Sequence, residues 1–246
     1  MDKMGSLAEI KLFASLRMPK FRQKYGLFLV EGRKGVEEVF HSNLEIDRIM
    51  VTPAYTQKFD PPKNAVEISE KELQKISNFD TPPGILAVVH IPQTPDEIPT
   101  ESPFTLVLDG IADPGNLGTI IRIADWYGIN NVLVSNDSVD VYNAKCISAS
   151  MGSFVRVTTH YTDLKIALPK FSEVFGAFLD GKSVYEISLP SDLSNRALVI
   201  GSESHGIRPE IVPFIQQRVT IPKKGKAESL NAGIATAILV DRLLVS

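Results

Sequence analysis

The chain has 246 residues, 43% of them apolar and 22% charged. These are ordinary globular values, and the length suits one large domain or two of usual size. Its single cysteine, Cys146, excludes an intrachain disulfide and a cysteine-rich zinc site, and a net charge of −3 argues against indiscriminate nucleic-acid binding while leaving room for a local basic face.

The opening residues Met1-Asp-Lys-Met-Gly-Ser-Leu carry no basic-then-apolar leader pattern. No apolar run approaches the roughly 20 residues that span a bilayer. A soluble protein of the cytoplasm is therefore expected. Lys11, Arg17, Lys20, Arg22 and Lys24 crowd the first segment, with Glu9 the nearest acid, and 21–26 is basic and aromatic. Leu27-Phe-Leu-Val-Glu-Gly reads as a buried strand ending at a turn. The pattern over 35–41 predicts a helix with Val36, Val39 and Phe40 inward, and 46–51 predicts a strand. Ser69-Glu-Lys-Glu opens a helix over 69–76 with capping-box spacing, and Ile85-Leu-Ala-Val-Val is a further strand. Alternating strands and helices predict an α/β sandwich over residues 1–90.

Residues 91–103 contain four prolines among acids and threonines and are expected to be an extended linker. A second domain is expected over 104–246. It begins with the apolar strand Phe104-Thr-Leu-Val-Leu-Asp, a glycine-rich loop over 110–118 and a helix over 119–127. A strand over 131–135, a short helix over 143–151 and a strand over 154–157 follow. Residues 162–175 read as partly helical, broken by Pro169. Ala197-Leu-Val-Ile-Gly and Arg218-Val-Thr-Ile-Pro are the last strands, and an apolar helix ends near Leu244. Short strands with helical crossovers imply a parallel sheet with ligands at the strand C-terminal ends.

Three loops at such ends carry the chemistry. In Asp109-Gly-Ile-Ala-Asp-Pro-Gly-Asn-Leu-Gly the glycines lack dinucleotide spacing and no phosphate-loop lysine is present. Hydride transfer and nucleotide hydrolysis are thus poorly supported. Asn116 and Arg122 are its notable polar residues, with a turn and a surface salt bridge as their plain structural roles. In Val199-Ile-Gly-Ser-Glu-Ser-His-Gly-Ile, Gly201 and Gly206 bracket Glu203. His205 lacks partners at metal-ligand spacing, since His41, His90 and His160 are scattered. In the stretch from Ile221 to Ala237, Lys223, Lys224 and Lys226 precede Ser229 and Asn231 at the mouth of a helix. Either residue suits a helix cap, and unpaired helix amides beside cations also suit an anionic ligand.

Taken together, Asn116-Leu-Gly-Thr-Ile-Ile-Arg, Ile200-Gly-Ser-Glu-Ser-His-Gly-Ile and Ile221-Pro through Ser229-Leu-Asn231 resemble the three motifs of the SpoU (TrmH-like) RNA 2′-O-ribose methyltransferases, across 104–246. The resemblance implies S-adenosylmethionine as cofactor, a C-terminal trefoil knot and a homodimer with its site near the subunit interface. Composition and periodicity alone would point to an unknotted sheet. Lys20-Phe-Arg-Gln-Lys-Tyr-Gly-Leu-Phe-Leu-Val-Glu-Gly and the strand after Pro83 resemble the substrate-binding domain that precedes this unit, L30e-like in fold. That pairing points to ribosomal RNA before transfer RNA. Met151 departs from the family, whose members usually have a smaller residue before the glycine.

By the same resemblance Arg122 lies nearest the ribose hydroxyl, with Asn116, Glu203, Ser229 and Asn231 around it, and the cofactor lies against Gly201, Ile221 and Leu230. Lys20, Arg22 and Lys24 are candidate RNA contacts, and Phe21 and Tyr25 candidate stacking rings. No metal is required, and DNA, which lacks the hydroxyl, is not a substrate. A non-catalytic RNA-binding factor for ribosome assembly and a small-molecule nucleotide enzyme are the competing readings.

Overall fold

The computed structural model describes residues 7–95, 97–187 and 195–245. The first six residues, on which the leader reading rests, lie outside them. The chain divides into two compact units: Met1–Gln93 with Tyr142–Val155, and Thr94–Val141 with Arg156–Ser246.

The first unit comprises α1 (Leu7–Ser15), α2 (Pro19–Tyr25), β1 (Leu27–Glu31), α3 (Arg33–Phe40), β2 (Ile46–Val51), α4 (Pro53–Thr56), β3 (Val66–Glu67), α5 (Glu70–Ile76) and β4 (Ile85–His90). The strands form one sheet in the order β1-β4-β2-β3, with β4 antiparallel to both its neighbours. Successive side chains of a strand face opposite sides. Accordingly Phe28 and Val30 join one buried cluster with Val36, Val39 and Val89, while Leu27 and Leu29 join another with Phe13, Leu73 and Val88. Both faces are covered, which is why β1 and β4 are apolar along nearly their whole length instead of alternating. The capping box forms: Ser69 Oγ accepts from Glu72 N at 3.3 Å, and Ser69 N donates to Glu72 Oε2 at 2.9 Å. Ser69 Oγ also donates to Glu72 Oε2 at 2.7 Å, and this bond, with the one from Ser69 N, holds the Glu72 carboxyl below the usual carboxylate range.

In the second unit β5 (Phe104–Asp109), α6 (Pro114–Trp126) and β6 (Asn131–Ser135) come first, and α7 (Ala144–Ser150) lies within the segment that belongs to the first unit. Then follow β7 (Thr158–Thr162), α8 (Leu164–Ala167), β8 (Glu173–Ser183), β9 (Arg196–Gly201), β10 (Gln217–Thr220) and α9 (Ala232–Val245). The six strands are parallel in the order β10-β8-β9-β5-β6-β7. From β5 the chain winds outward to β6 and β7, then returns on the far side of β9. The order reverses beside β5, and ligands of such sheets bind in the crevice at that point.

Three expectations change. The helix read over 119–127 begins at Pro114, because Asp113 caps it: its carboxylate accepts from Asn116 N at 2.9 Å, and proline occupies the first turn. Asn116 is thus in the first helical turn, not in a loop. The strand expected at 154–157 is a 3-10 turn, Ser153–Val155, and the strand starts at Thr158. The region read as helical through 175 turns into β8, eleven residues long, whose buried Val174 and Phe175 lie between β9 and β10. Residues 91–103, apart from Asp96, contain no helix or strand. Met151 takes the left-handed conformation, φ 53°, that ends α7.

Candidate active site

The site grows from the C-terminal ends of β5, β9 and β10. β9 ends at Gly201, where a Cβ would lie 2.1 Å from the carbonyl carbon of Gly206 and 2.2 Å from the nitrogen of Ile207. Only glycine fits that approach. Ser202 and Gly206 then exchange backbone hydrogen bonds of 3.0 and 2.9 Å, and Gly206 has φ +68°. The turn so closed carries Glu203 at its exposed tip.

Asn116 Nδ2 donates to Glu203 Oε1 at 2.5 Å, and Asn116 Oδ1 accepts from Asn231 Nδ2 at 2.8 Å. Asn231 Oδ1 in turn accepts from Gly233 N at 2.9 Å and Ile234 N at 3.3 Å, the orphan amides that open α9. One side chain is therefore both helix cap and site residue, and Ser229 does not cap. α9 can start so close to α6 because Gly233 has no Cβ; one would meet Thr119 Cγ2 at 2.9 Å. Three segments remote in sequence are thus joined by a directed hydrogen-bonded series from helix amides to a carboxylate.

An ion pair between a fully buried carboxylate and a half-buried guanidinium, whose pairing does not stand out in the sequence, anchors the turn that carries Glu203. Asp109, the last residue of β5, is fully buried and accepts from Arg208 N at 2.8 Å and Arg208 Nε at 2.6 Å. Arg208 also reaches Asp137 at 3.2 Å. The Asp109 hydrogen bond pushes the Arg208 guanidinium above its ordinary range. Ser135 and Ser138 hydroxyls accept from Gly110 N and Ile111 N at 2.9 and 3.1 Å, holding the first loop. The available signal was Asp109 itself, a carboxylate closing an otherwise apolar strand, which demands a buried partner.

Other expected site residues are placed as follows. Arg122 is exposed on α6 with no ion-pair partner among the described residues, so its plain salt-bridge role is not seen. Ser229 and Leu230 are exposed, Ile221 is half-buried, and Lys223, Lys224 and Lys226 point into solvent. Neither Arg122 nor Ser229 is bonded to the Asn116–Glu203–Asn231 series. His205 Nδ1 pairs with Ser204 Oγ at 2.7 Å. Lys20 and Lys24 are exposed, but Arg22 is 2% exposed and donates to the carbonyls of Leu16 and Arg17 at 2.9 and 3.0 Å. Arg22 closes the end of α1 and is withdrawn as an RNA contact.

The donor set suits an elongated ligand with one polar and one apolar side. No backbone–backbone hydrogen bond ties residues 221–230 to the rest of the described chain, so their amides and carbonyls are available. Leu230 is 48% exposed and Ile221 half-buried, so both leave apolar surface uncovered. Among the described residues no group of three or more His, Cys, Asp or Glu side chains is arranged for a metal.

Residues 103–241 match the model of the SpoU rRNA Methylase family, and residues 8–87 match that of an MRM3-like substrate binding domain. The 23S rRNA (guanosine(2553)-2'-O)-methyltransferase RlmP of Bacillus subtilis (strain 168) is 29% identical over 241 residues, covering 96% of this chain and 95% of its own. A TrmH-family structure from Porphyromonas gingivalis is 39% identical, with TM-score 0.84 over 97% of this chain and 98% of the other. The AdoMet-bound rRNA methyltransferase of Sinorhizobium meliloti is 26% identical, with TM-score 0.84 over 100% and 99%.

Proposed function

This chain belongs to the SpoU rRNA methylase family, and on that premise we propose that it transfers a methyl group from S-adenosylmethionine to a ribose 2′-hydroxyl of ribosomal RNA, in the cytoplasm. The observation that carries this reading is the bonded series Glu203–Asn116–Asn231, which unites the three motif segments beside the sheet's reversal point. No helix among the described residues is long and apolar enough to cross a membrane.

When bound, S-adenosylmethionine supplies a methyl group on a cationic sulfur that leaves as a neutral thioether. The attacking 2′-oxygen must be held about 3–3.5 Å from that carbon. Gly201, Ile221 and Leu230, with the backbone of 221–230, would hold the cofactor. Arg122, an exposed cation, serves to stabilise the developing alkoxide. Glu203 is the group in the bonded series able to accept the hydroxyl proton. Asn116 and Asn231 fix its orientation, and Ser229 lines the same mouth. Lys20 and Lys24 in the first unit contact RNA phosphates.

Purified protein with methyl-labelled cofactor is expected to modify unmethylated rRNA and to leave DNA and RNA carrying a 2′-deoxyribose at the target unmodified. Transfer to tRNA alone would correct the substrate, and binding of RNA without any cofactor uptake would sink the reading in favour of an assembly factor.

A homodimer completes the proposal. α6 and α9 pack on each other, and on them Trp126 is 84%, Ile234 54% and Leu244 36% exposed. Large apolar side chains gathered on one helix pair suit a covered surface. Light scattering is expected to give the mass of two chains, and Trp126→Glu the mass of one. A wild-type monomer at micromolar concentration would contradict this.

A further inference from the structure

α2 is a seven-residue helix whose outward side does not contribute to either core. Its advance of about 100° per residue sets Lys20, Phe21, Lys24 and Tyr25 within a sector of about 140°, with Arg22 about 60° beyond its Tyr25 edge. The buried Arg22 guanidinium, bonded to the carbonyls of Leu16 and Arg17 just after α1, fixes the rotation of the helix. The Phe21 and Tyr25 rings are 6.2 Å apart between centroids and within 15° of parallel. Lys20 Nζ stands 4.9 Å from the Phe21 centroid, and Lys24 Nζ 5.2 Å from that of Tyr25. Tyr25 is 38% exposed and both lysines are exposed. Neither ring belongs to either buried cluster of this unit.

Two near-parallel aromatic rings one helical turn apart, each with a mobile-stemmed lysine ammonium over it that an incoming base displaces toward a phosphate, match a polymer of flat bases joined by phosphates. We propose that this side of α2 is a stacking platform for an unpaired stretch of RNA. Phe21 and Tyr25 take base faces, and Lys20 and Lys24 take the flanking phosphates. Duplex RNA does not satisfy the same patch, since its base faces are already stacked on one another. The inference deepens the RNA-modifying reading above and rests on it for the identity of the polymer.

Fluorescence anisotropy on the full chain, with a labelled oligouridylate and a hairpin duplex of equal length, tests it. Phe21→Leu/Tyr25→Leu keeps apolar bulk without the π faces. It is expected to weaken single-strand binding about tenfold, with the salt slope unchanged and duplex binding unaffected. Lys20→Gln/Lys24→Gln is expected instead to flatten the single-strand salt slope by about 0.7 per lysine. Unchanged thermal melting confirms that both variants fold, and Tyr25→Phe, which keeps the ring, is expected to bind as wild type. Wild-type affinity in the leucine pair, equal loss on the duplex, or no single-strand binding by the wild-type protein overturns the platform. Ring-dependent binding by a protein that never takes up S-adenosylmethionine would leave the platform standing and sink the proposed reaction. Methyl transfer with silent rings would do the reverse.

Discussion

Asn231→Asp is expected to reduce methyl transfer by about 10²-fold while leaving thermal stability nearly unchanged. The aspartate keeps an oxygen for the amides of Gly233 and Ile234, and a negative charge at a helix start is favourable. What it loses is the Nδ2 donor to Asn116. Asn116 is then free to rotate, and Glu203 loses its fixed orientation. Misplacement of a reacting group on that scale is commonly worth about 10² in rate. Asn231→Ala removes cap and donor together, so it should lose activity and also about 1 kcal/mol of stability. Arg122→Ala should lose activity alone, by about 10²–10³-fold, because an exposed cation with no ion-pair partner among the described residues contributes little to folding. Comparing kcat/KM with melting temperature across the three variants separates the two roles. Full activity in Asn231→Asp would show that the amide series does not position the site.

The largest stability effect is expected at Arg208. Its loss leaves the fully buried Asp109 carboxylate with a single backbone amide as partner. Breaking one side of a buried pair typically costs about 3–5 kcal/mol; Arg208 is itself 33% exposed, which favours the lower end. Arg208→Ala should therefore lower the urea midpoint strongly, and it should loosen the turn that carries Glu203, reducing activity as well. Asp109→Leu combined with Arg208→Met replaces charge with apolar volume and is expected to recover much of the stability but not the activity. A midpoint unmoved by Arg208→Ala would refute the anchoring role.

Strands buried on both faces were readable from the chain because burial leaves an unbroken apolar run: 27–31, 85–90, 104–109 and 131–135 all announce themselves this way. Ser69 was equally plain, since a capping box is local in sequence. β8 was hidden because only its first residues are buried, and its later part, Leu179 to Lys182, is exposed and polar apart from one leucine. The start of α6 was masked by Gly115 and Gly118, although Asp113-Pro114 is itself a start signal. Asn116, Glu203 and Asn231 each stand out in their own segments, but their grouping into one site came from resemblance, and no periodicity would have joined them. Their bonds span 87 and 115 residues of chain, a separation that only the completed sheet removes. Arg22 misled for a related reason. A cation among cations reads as surface, and only the turn of a short helix reveals which one faces inward.

Residues 142–155 leave the run of the parallel sheet to complete the first unit, where Ile147 enters the buried cluster and the rings of Tyr142 and Phe154 lie 4.5 and 6.1 Å from that of Phe28. The substrate-binding module is therefore not a detachable cassette. Cut at the proline-rich stretch, it would take with it a bare Phe28 and a vacant seat for Ile147. Shuffling such a module between enzymes would have to carry a second, distant piece of chain, so its partner in evolution is constrained as tightly as its own core.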